Sequence, residues 1–375
     1  MKFLRPLAAL LFSALVGLTA QAATPIKIGE YGSLTGKEAS FGQSSHKGIV
    51  LAFEELNAAG GALGSPLQLV TEDNQTKPGE SATVAKKLIT RDKVVALLGE
   101  VASGRSLEAA PVAQKARVPM VAPAATNPKV TQTGNYVFRV CFIDPFQGTV
   151  MAKFAKEDLK VTKVAVLSSV SNAYSVGLAK FFRETFTAGG GEIVAEKNFS
   201  EGDKDFRAQL TAVKASGAEA VFVPSYYTEA ALIVRQAREL GINVPFFGGD
   251  GWEAPQLLQI GGDALEGCYY STHFSPENQD PTVQQFVAKF KERWNGETPD
   301  AFAALGYDAA YVLVDAIKRA GSTEGPKLRA ALAETKDFAG VTGVTTIDKN
   351  RDASKPAAIL AIKGGKLTFL KTVAP

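Results

Sequence analysis

Strand and helix alternate along nearly the whole of this chain, and the alternation runs through twice. Apolar, β-branched runs at Ile26–Tyr31, Leu67–Asp73, Val94–Leu98, Pro119–Ala122 and Tyr136–Val140 read as strands. Between them the apolar spacing turns helical: Ser44–Ala59 closes at Gly60-Gly61, and Pro78–Arg91 places Val84, Leu88 and Ile89 on one face. After Val140 the pattern restarts, with a helix at Phe146–Leu159, strands at Lys163–Leu167, Glu192–Lys197, Ala220–Val223 and Pro245–Gly248, and helices at Tyr174–Ala188, Phe206–Ser216 and Thr228–Leu240. Parallel neighbours need a crossover, and here the crossovers are helical, so the expected fold class is α/β: two Rossmann-like three-layer lobes with parallel sheets. A chain of 375 residues gives each lobe enough length for its own core.

A third block follows. Gly267–Phe274 reads as a strand, Asp280-Pro281 as a helix start, and Asp300 as the cap of a long helix over Ala301–Ala320. Ala357–Ile362 and Leu367–Val373 flank Gly364-Gly365 as a hairpin. No Pro/Gly/Ser-rich linker separates the lobes, which predicts three short crossings near Val140–Pro145, Thr272–Asn278 and Thr342–Lys349. They divide the chain into an N-terminal lobe, 24–141 plus 276–345, and a C-terminal lobe, 142–275 plus 346–375. Several crossings restrict relative motion to bending about a hinge, which suits closure around a ligand.

The first residues read as a secretory leader, 1–22. Lys2 and Arg5 precede an apolar run, Leu7–Leu18, that is too short to span a bilayer, and Ala20-Gln21-Ala22 supplies the cleavage pattern. Removing Lys2 and Arg5 takes the formal charge from +3 to +1, with no clustered basic face to suggest a nucleic-acid partner. Cys141 and Cys268 permit one bridge in an oxidising compartment without requiring it. With only His46 and His273 beside them, they are too scattered for a metal site. Gly29, Gly32 and Gly36 lack nucleotide-loop spacing, and the chain has no G-x-S-x-G elbow, so neither a cofactor nor an enzyme is expected.

What remains is a binding constellation. Val94–Leu98 leads through Glu100-Val-Ala-Ser103 into a helix, and Pro119–Ala122 leads into the small-residue loop Pro123-Ala124-Ala-Thr126. Loops at the carboxyl ends of parallel strands open on the ligand side of such sheets, and a helix start there favours an anion. Ser103, Ala124 and Thr126 read as a carboxylate clamp; the same spacing also suits a simple helix cap and turn. Asp250, after the strand of the second lobe, reads either as an acceptor for a ligand ammonium or as a turn residue in a Gly-rich loop. Together the two halves make a zwitterion site. Phe41, Tyr174, Tyr226, Trp252 and Phe302 fall at loop edges and supply an apolar lining. Glu100 and Arg105 flank Ser103 and rank lower, since such charges are usually solvated or paired.

At this point the residues carry a resemblance. IGEYGSLTG with Gly42 beyond it, ELNAAGGALG, VPMVAPAATNP, and DKDFRAQLTAVKASGAEAVFV followed by LIVRQAREL and GGDG resemble the periplasmic branched-chain amino-acid binding proteins, the type I solute receptors of ABC importers, from about Pro25 to Val373. The resemblance implies two lobes joined by a three-crossing hinge, a periplasmic location, a small amino acid as ligand, and permease subunits of the inner membrane as partners. A receptor for an amide, urea or aromatic acid on the same scaffold is the alternative. Position by position it implies ligand contacts from Ala102, Ser103, Ala124 and Thr126, aromatic contacts from Tyr174 and Tyr226, and a far wall at Phe302. Phe41 stands where the family often has Tyr, and Asp250 where it has an ammonium-binding Glu. Ala102 replaces a cysteine of the family's first-lobe disulfide, which leaves pairing of Cys141 with Cys268 as an expectation to test.

Overall fold

The computed structural model describes residues 23–375, so the leader read at 1–22 lies outside the described residues. Five strands, β1 (Ile26–Gly32), β2 (Leu67–Asp73), β3 (Ala96–Leu98), β4 (Met120–Ala122) and β5 (Val137–Arg139), form a parallel sheet in the order β2-β1-β3-β4-β5. Strands β3 and β4 are short, apolar and fully buried, as expected where helices cover both faces. The second sheet begins with β6 (Lys163–Ser169), β7 (Glu192–Phe199), β8 (Ala220–Phe222), β9 (Phe246–Gly248) and β10 (Tyr269–Thr272), all parallel. A separate antiparallel ribbon, β11 (Phe338–Gly340) and β12 (Gly343–Thr345), precedes the hairpin β13 (Ala357–Lys363) and β14 (Lys366–Val373). The hairpin joins the second sheet antiparallel to β10, giving the order β14-β13-β10-β9-β8-β6-β7.

The caps expected from sequence are formed. Asp280 accepts from the Thr282 N–H and Asp300 from those of Phe302 and Ala303, each fixing the start of a helix. Helix Ala301–Ala320 lies against helix Ala39–Ala58 on the first sheet's side, and the backbones approach closely at Gly48 and Gly306. A Cβ at Gly48 would overlap the Ala303 carbonyl, and one at Gly306 would overlap that of Ser45. Only glycine permits this approach at both positions.

One difference from the sequence reading matters for the site. The first helix starts at Ala39 rather than Ser44, so Phe41 belongs to its first turn and not to a loop. Small residues carry the helix back to Ala39, and the missing side chain of Gly42 lets Ser33 pack against it. Beyond β12 the chain keeps its contacts with β5 and helix Ala301–Ala320. Asp352 pairs with Arg139 of β5, and Lys355 with Asp308 of helix Ala301–Ala320, so the chain stays on the first lobe's side until β13 begins.

Cys141 and Cys268 are free thiols, so the bridge that the sequence permitted is not formed. Cys141 Sγ faces the Ala125 carbonyl at 3.5 Å and Cys268 Sγ faces Arg238, so each thiol is packed among its own neighbours. Burial pushes the Cys141 thiol up to about 12 and that of Cys268 up to about 11, which keeps both protonated and unreactive.

Candidate functional site

Between the two sheets, at the carboxyl ends of their strands, lies a narrow crevice lined by Phe41, Val101, Ser103, Ala124, Thr126, Tyr174, Tyr226, Asp250, Gly251 and Phe302. Five helices point their amino-terminal ends at it. Ser103 is the first residue of Ser103–Ala116, Phe41, Tyr174 and Phe302 lie in first turns, and Tyr226 immediately precedes Tyr227–Glu239. Wider grooves of about 210 and 270 Å³ lie elsewhere, both lined in part by Ser275 and Phe369.

The first-lobe half is built around Ser103. Ala102 is the N-cap and has no hydroxyl to offer, so the first-turn N–H groups of Ser103–Ala116 have no side-chain cap. The Ser103 hydroxyl instead accepts from the Asn127 N–H at 3.2 Å and fixes the loop that carries Ala124 and Thr126. Beneath that loop Arg139 is fully buried. Its guanidinium donates to the Ala125 carbonyl, to that of Asn127 at 2.8 Å and to the Thr131 hydroxyl at 3.1 Å, while Nε lies 2.7 Å from Asp352. Sequence reasoning passed over Arg139; an arginine inside the buried run Tyr136–Val140 was the available signal.

Glu100 also serves this half without facing the cavity. Its Oε1 accepts from the Ser33 N–H and hydroxyl at 2.7 and 2.6 Å and from Asn74 at 3.0 Å, and Oε2 accepts from the Ala102 N–H at 3.0 Å. Arg105 is spent on Glu108 at 2.6 Å and Glu38 at 3.7 Å. Ala102 itself is buried behind Ser103 and does not line the space.

On the facing lobe Asp250 opens a single 3₁₀ turn, Asp250–Trp252, directly after β9. Its carboxylate is held from two sides: Gln147 Nε2 donates to Oδ1 at 2.8 Å and His273 Nε2 lies 3.0 Å from Oδ2. Trp252 is fully buried below this turn and lies outside the lining, contrary to expectation. Its indole N–H donates to the Val223 carbonyl at 2.9 Å and its ring covers Gly248, so it anchors the turn from underneath. Gly251 was missed; a Cβ there would press on the Ser225 carbonyl and the Tyr174 and Tyr226 rings.

The aromatic side chains form one wall. Phe41 meets Tyr226 edge-on at 5.1 Å and Phe302 at 4.9 Å, and Tyr226 stacks on Tyr174 at 5.3 Å. Burial holds both tyrosines well above the usual phenol range, so they stay neutral. Tyr174 Oη accepts from the Gly251 N–H at 3.1 Å. Beside the loop Asp144 is fully buried, with neither oxygen hydrogen-bonded, and burial pushes its carboxyl up to about 8.

The lobes also touch directly. Lys37 pairs with Glu201 at 3.5 Å, Tyr227 Oη donates to the Lys37 carbonyl at 2.6 Å, Asn127 donates to the Ala173 carbonyl at 2.7 Å, and the Ser40 hydroxyl meets Gln256. Among the described residues no cluster of His, Cys, Asp and Glu is arranged to hold a metal, and no helix is long and apolar enough to cross a membrane.

The comparisons agree with this architecture. The family model for periplasmic binding proteins matches residues 25–366. The leucine-, isoleucine-, valine-, threonine-, and alanine-binding protein of Pseudomonas aeruginosa is 31% identical over 332 residues, 88% of each chain. Among solved structures, a leucine binding protein from Thermotoga maritima is 42% identical with a TM-score of 0.89, covering 93% of this chain and 99% of that one. The branched-chain amino acid transporter substrate binding protein of Streptococcus pneumoniae, solved with isoleucine, is 36% identical with a TM-score of 0.89, covering 94% of this chain and all of that one. With two parallel-sheet lobes, a crevice at their strand ends and a match over nearly its full length, the chain belongs to the periplasmic binding protein family, whose members bind solutes rather than transform them.

Proposed function

We propose that this protein is the receptor of an ABC importer, that it captures a small aliphatic amino acid, a branched-chain one by preference, between its lobes, and that it presents the closed form to the permease subunits. The observation that carries the reading is the split of polar chemistry across one narrow crevice. Ser103, Thr126 and an uncapped helix start lie on one lobe, and Asp250 lies on the other. The first half suits a carboxylate and the second an ammonium. Phe41, Ala124, Tyr174, Tyr226 and Phe302 supply the apolar faces that an aliphatic side chain would meet.

An isolated charge in such a space costs several kcal/mol. The site therefore selects a ligand that carries both charges, and the binding partners named for the relatives are consistent with this choice. A leader at 1–22 and release into the periplasm complete the reading, and mass spectrometry of exported protein should find a chain beginning near Ala23.

Titration calorimetry with leucine, isoleucine, valine, benzoate and 4-methylpentanoate tests it. The three amino acids should bind and the two acids, which lack an ammonium, should bind far more weakly. Benzoate binding more tightly than leucine would transfer the reading to an aromatic-acid receptor.

A further inference from the structure

We infer that His273 is a positioning residue for the ammonium half of the site: it fixes the Asp250 carboxylate and links it to two of the three passages between the lobes. The inference rests on the reading of Asp250 as ammonium acceptor.

His273 directly follows β10, at the start of the second passage, and its side chain is 1% exposed. Its Nε2 lies 3.0 Å from Asp250 Oδ2. The other carboxylate oxygen accepts from Gln147, which is itself buried and also donates to the Ser271 hydroxyl at 3.1 Å. Each oxygen of Asp250 is thus held by one fixed donor, and each keeps a further lone pair for a ligand.

The imidazole has a second contact. It stacks on Phe142 with ring centroids 3.7 Å apart and 25° between planes. Phe142 belongs to the first passage, between β5 and helix Asp144–Glu157. One ring therefore touches the ligand-facing carboxylate, stands in the second passage and packs on the first. Bending at the hinge shifts those passages relative to each other and so bears on where Asp250 points.

Packing alone does not explain a histidine here. Burial holds its pKa below the ordinary imidazole range, with the nearby Lys355 acting in the same direction and Asp250 opposing. The neutral ring has one N–H, and the facing carboxylate assigns it to Nε2. Nδ1 has no partner among the described residues. A phenyl or isobutyl group would fill the same volume and leave Asp250 with one donor fewer.

The test compares leucine with 4-methylpentanoate, which has the same carbon skeleton without the ammonium, in calorimetry on the full chain. In His273→Leu, leucine affinity should fall roughly 10–100-fold, the scale of one hydrogen bond to a charged group, while the weak affinity for 4-methylpentanoate changes less than about threefold. His273→Gln, whose amide N–H reaches the Nε2 position, should retain leucine binding within about tenfold of wild type. Equal losses for both ligands, or unchanged leucine binding in His273→Leu, would overturn the inference. If His273→Leu fails to fold, Gln147→Leu replaces it and should show the same ligand-selective loss. Wild type that binds no aliphatic amino acid would remove the reading of the site as well, whereas wild-type binding with an indifferent His273→Leu removes only the role of His273.

Discussion

Arg139 and Asp352 form a buried ion pair, Nε to Oδ1 at 2.7 Å, that joins the strand beneath the loop carrying Thr126 to the segment that precedes β13. The remaining donors of Arg139 hold the carbonyls of Ala125 and Asn127, on either side of Thr126. One side chain thus sets the shape of the loop and ties it to the segment ahead of β13.

Arg139→Met should therefore destabilise the protein by about 3–5 kcal/mol, because it strands a carboxylate and two buried carbonyls together. Urea unfolding measures the loss. Ligand affinity should fall as well, since the loop that presents Thr126 loses its support. A variant as stable as wild type would show that the pair contributes little.

For the facing half, Asp250→Ala should weaken leucine binding far more than Phe41→Leu. The first leaves an ammonium unpaired in a desolvated space, on the order of 2–4 kcal/mol. The second is an apolar exchange within the cage, under about 1.5 kcal/mol. Equal losses in calorimetry would contradict the roles assigned to the two residues.

Trp252→Phe separates support from contact. It removes the N–H bonded to Val223, and Trp252 is not itself part of the lining. Stability should drop by about 1–3 kcal/mol, read by urea unfolding, with leucine affinity changed much less than in Asp250→Ala.

How far these roles could be read from the sequence depended on how local their causes are. The alternation of strands and helices, the caps at Asp280 and Asp300 and the hairpin around Gly364-Gly365 rest on neighbours in the chain, and all were legible. Eight of the residues singled out do meet around one space. Trp252 could not be told from a lining residue because its burial comes from Gly248 and Val223, a packing relation that a strand-end position does not reveal. Arg139 was passed over, and the His273–Asp250 contact was not foreseen, because each partner is set by tertiary contacts rather than spacing. The ribbon of β11 and β12 escaped because three residues per strand carry almost no periodicity.

Asp144 gives a pH dependence with a definite sign. Its carboxyl is held up to about 8 in the folded protein, chiefly by burial, so the native state binds the proton more tightly than the unfolded chain does. That stabilising contribution is complete below about pH 4, the unfolded value, and is lost as pH rises through about 8. Asp144→Asn stays neutral throughout and should lose less stability than wild type between pH 5 and 8, by roughly 1–2 kcal/mol at the upper end. His273 acts in the opposite direction: its lowered pKa contributes stability above about pH 6.5 that is lost as pH falls. Thermal melts of wild type and Asp144→Asn across this range measure the difference, and parallel curves would exclude a titrating Asp144.

The central claim is that the two charges of one ligand are met by opposite lobes, so that binding and closure are a single event. Small-angle X-ray scattering during titration tests it most directly. The radius of gyration should fall as leucine is added, along the same saturation curve as the heat of binding, and should stay unchanged with 4-methylpentanoate. Leucine bound with no change in dimensions, or equal compaction by the ligand that lacks an ammonium, would contradict it.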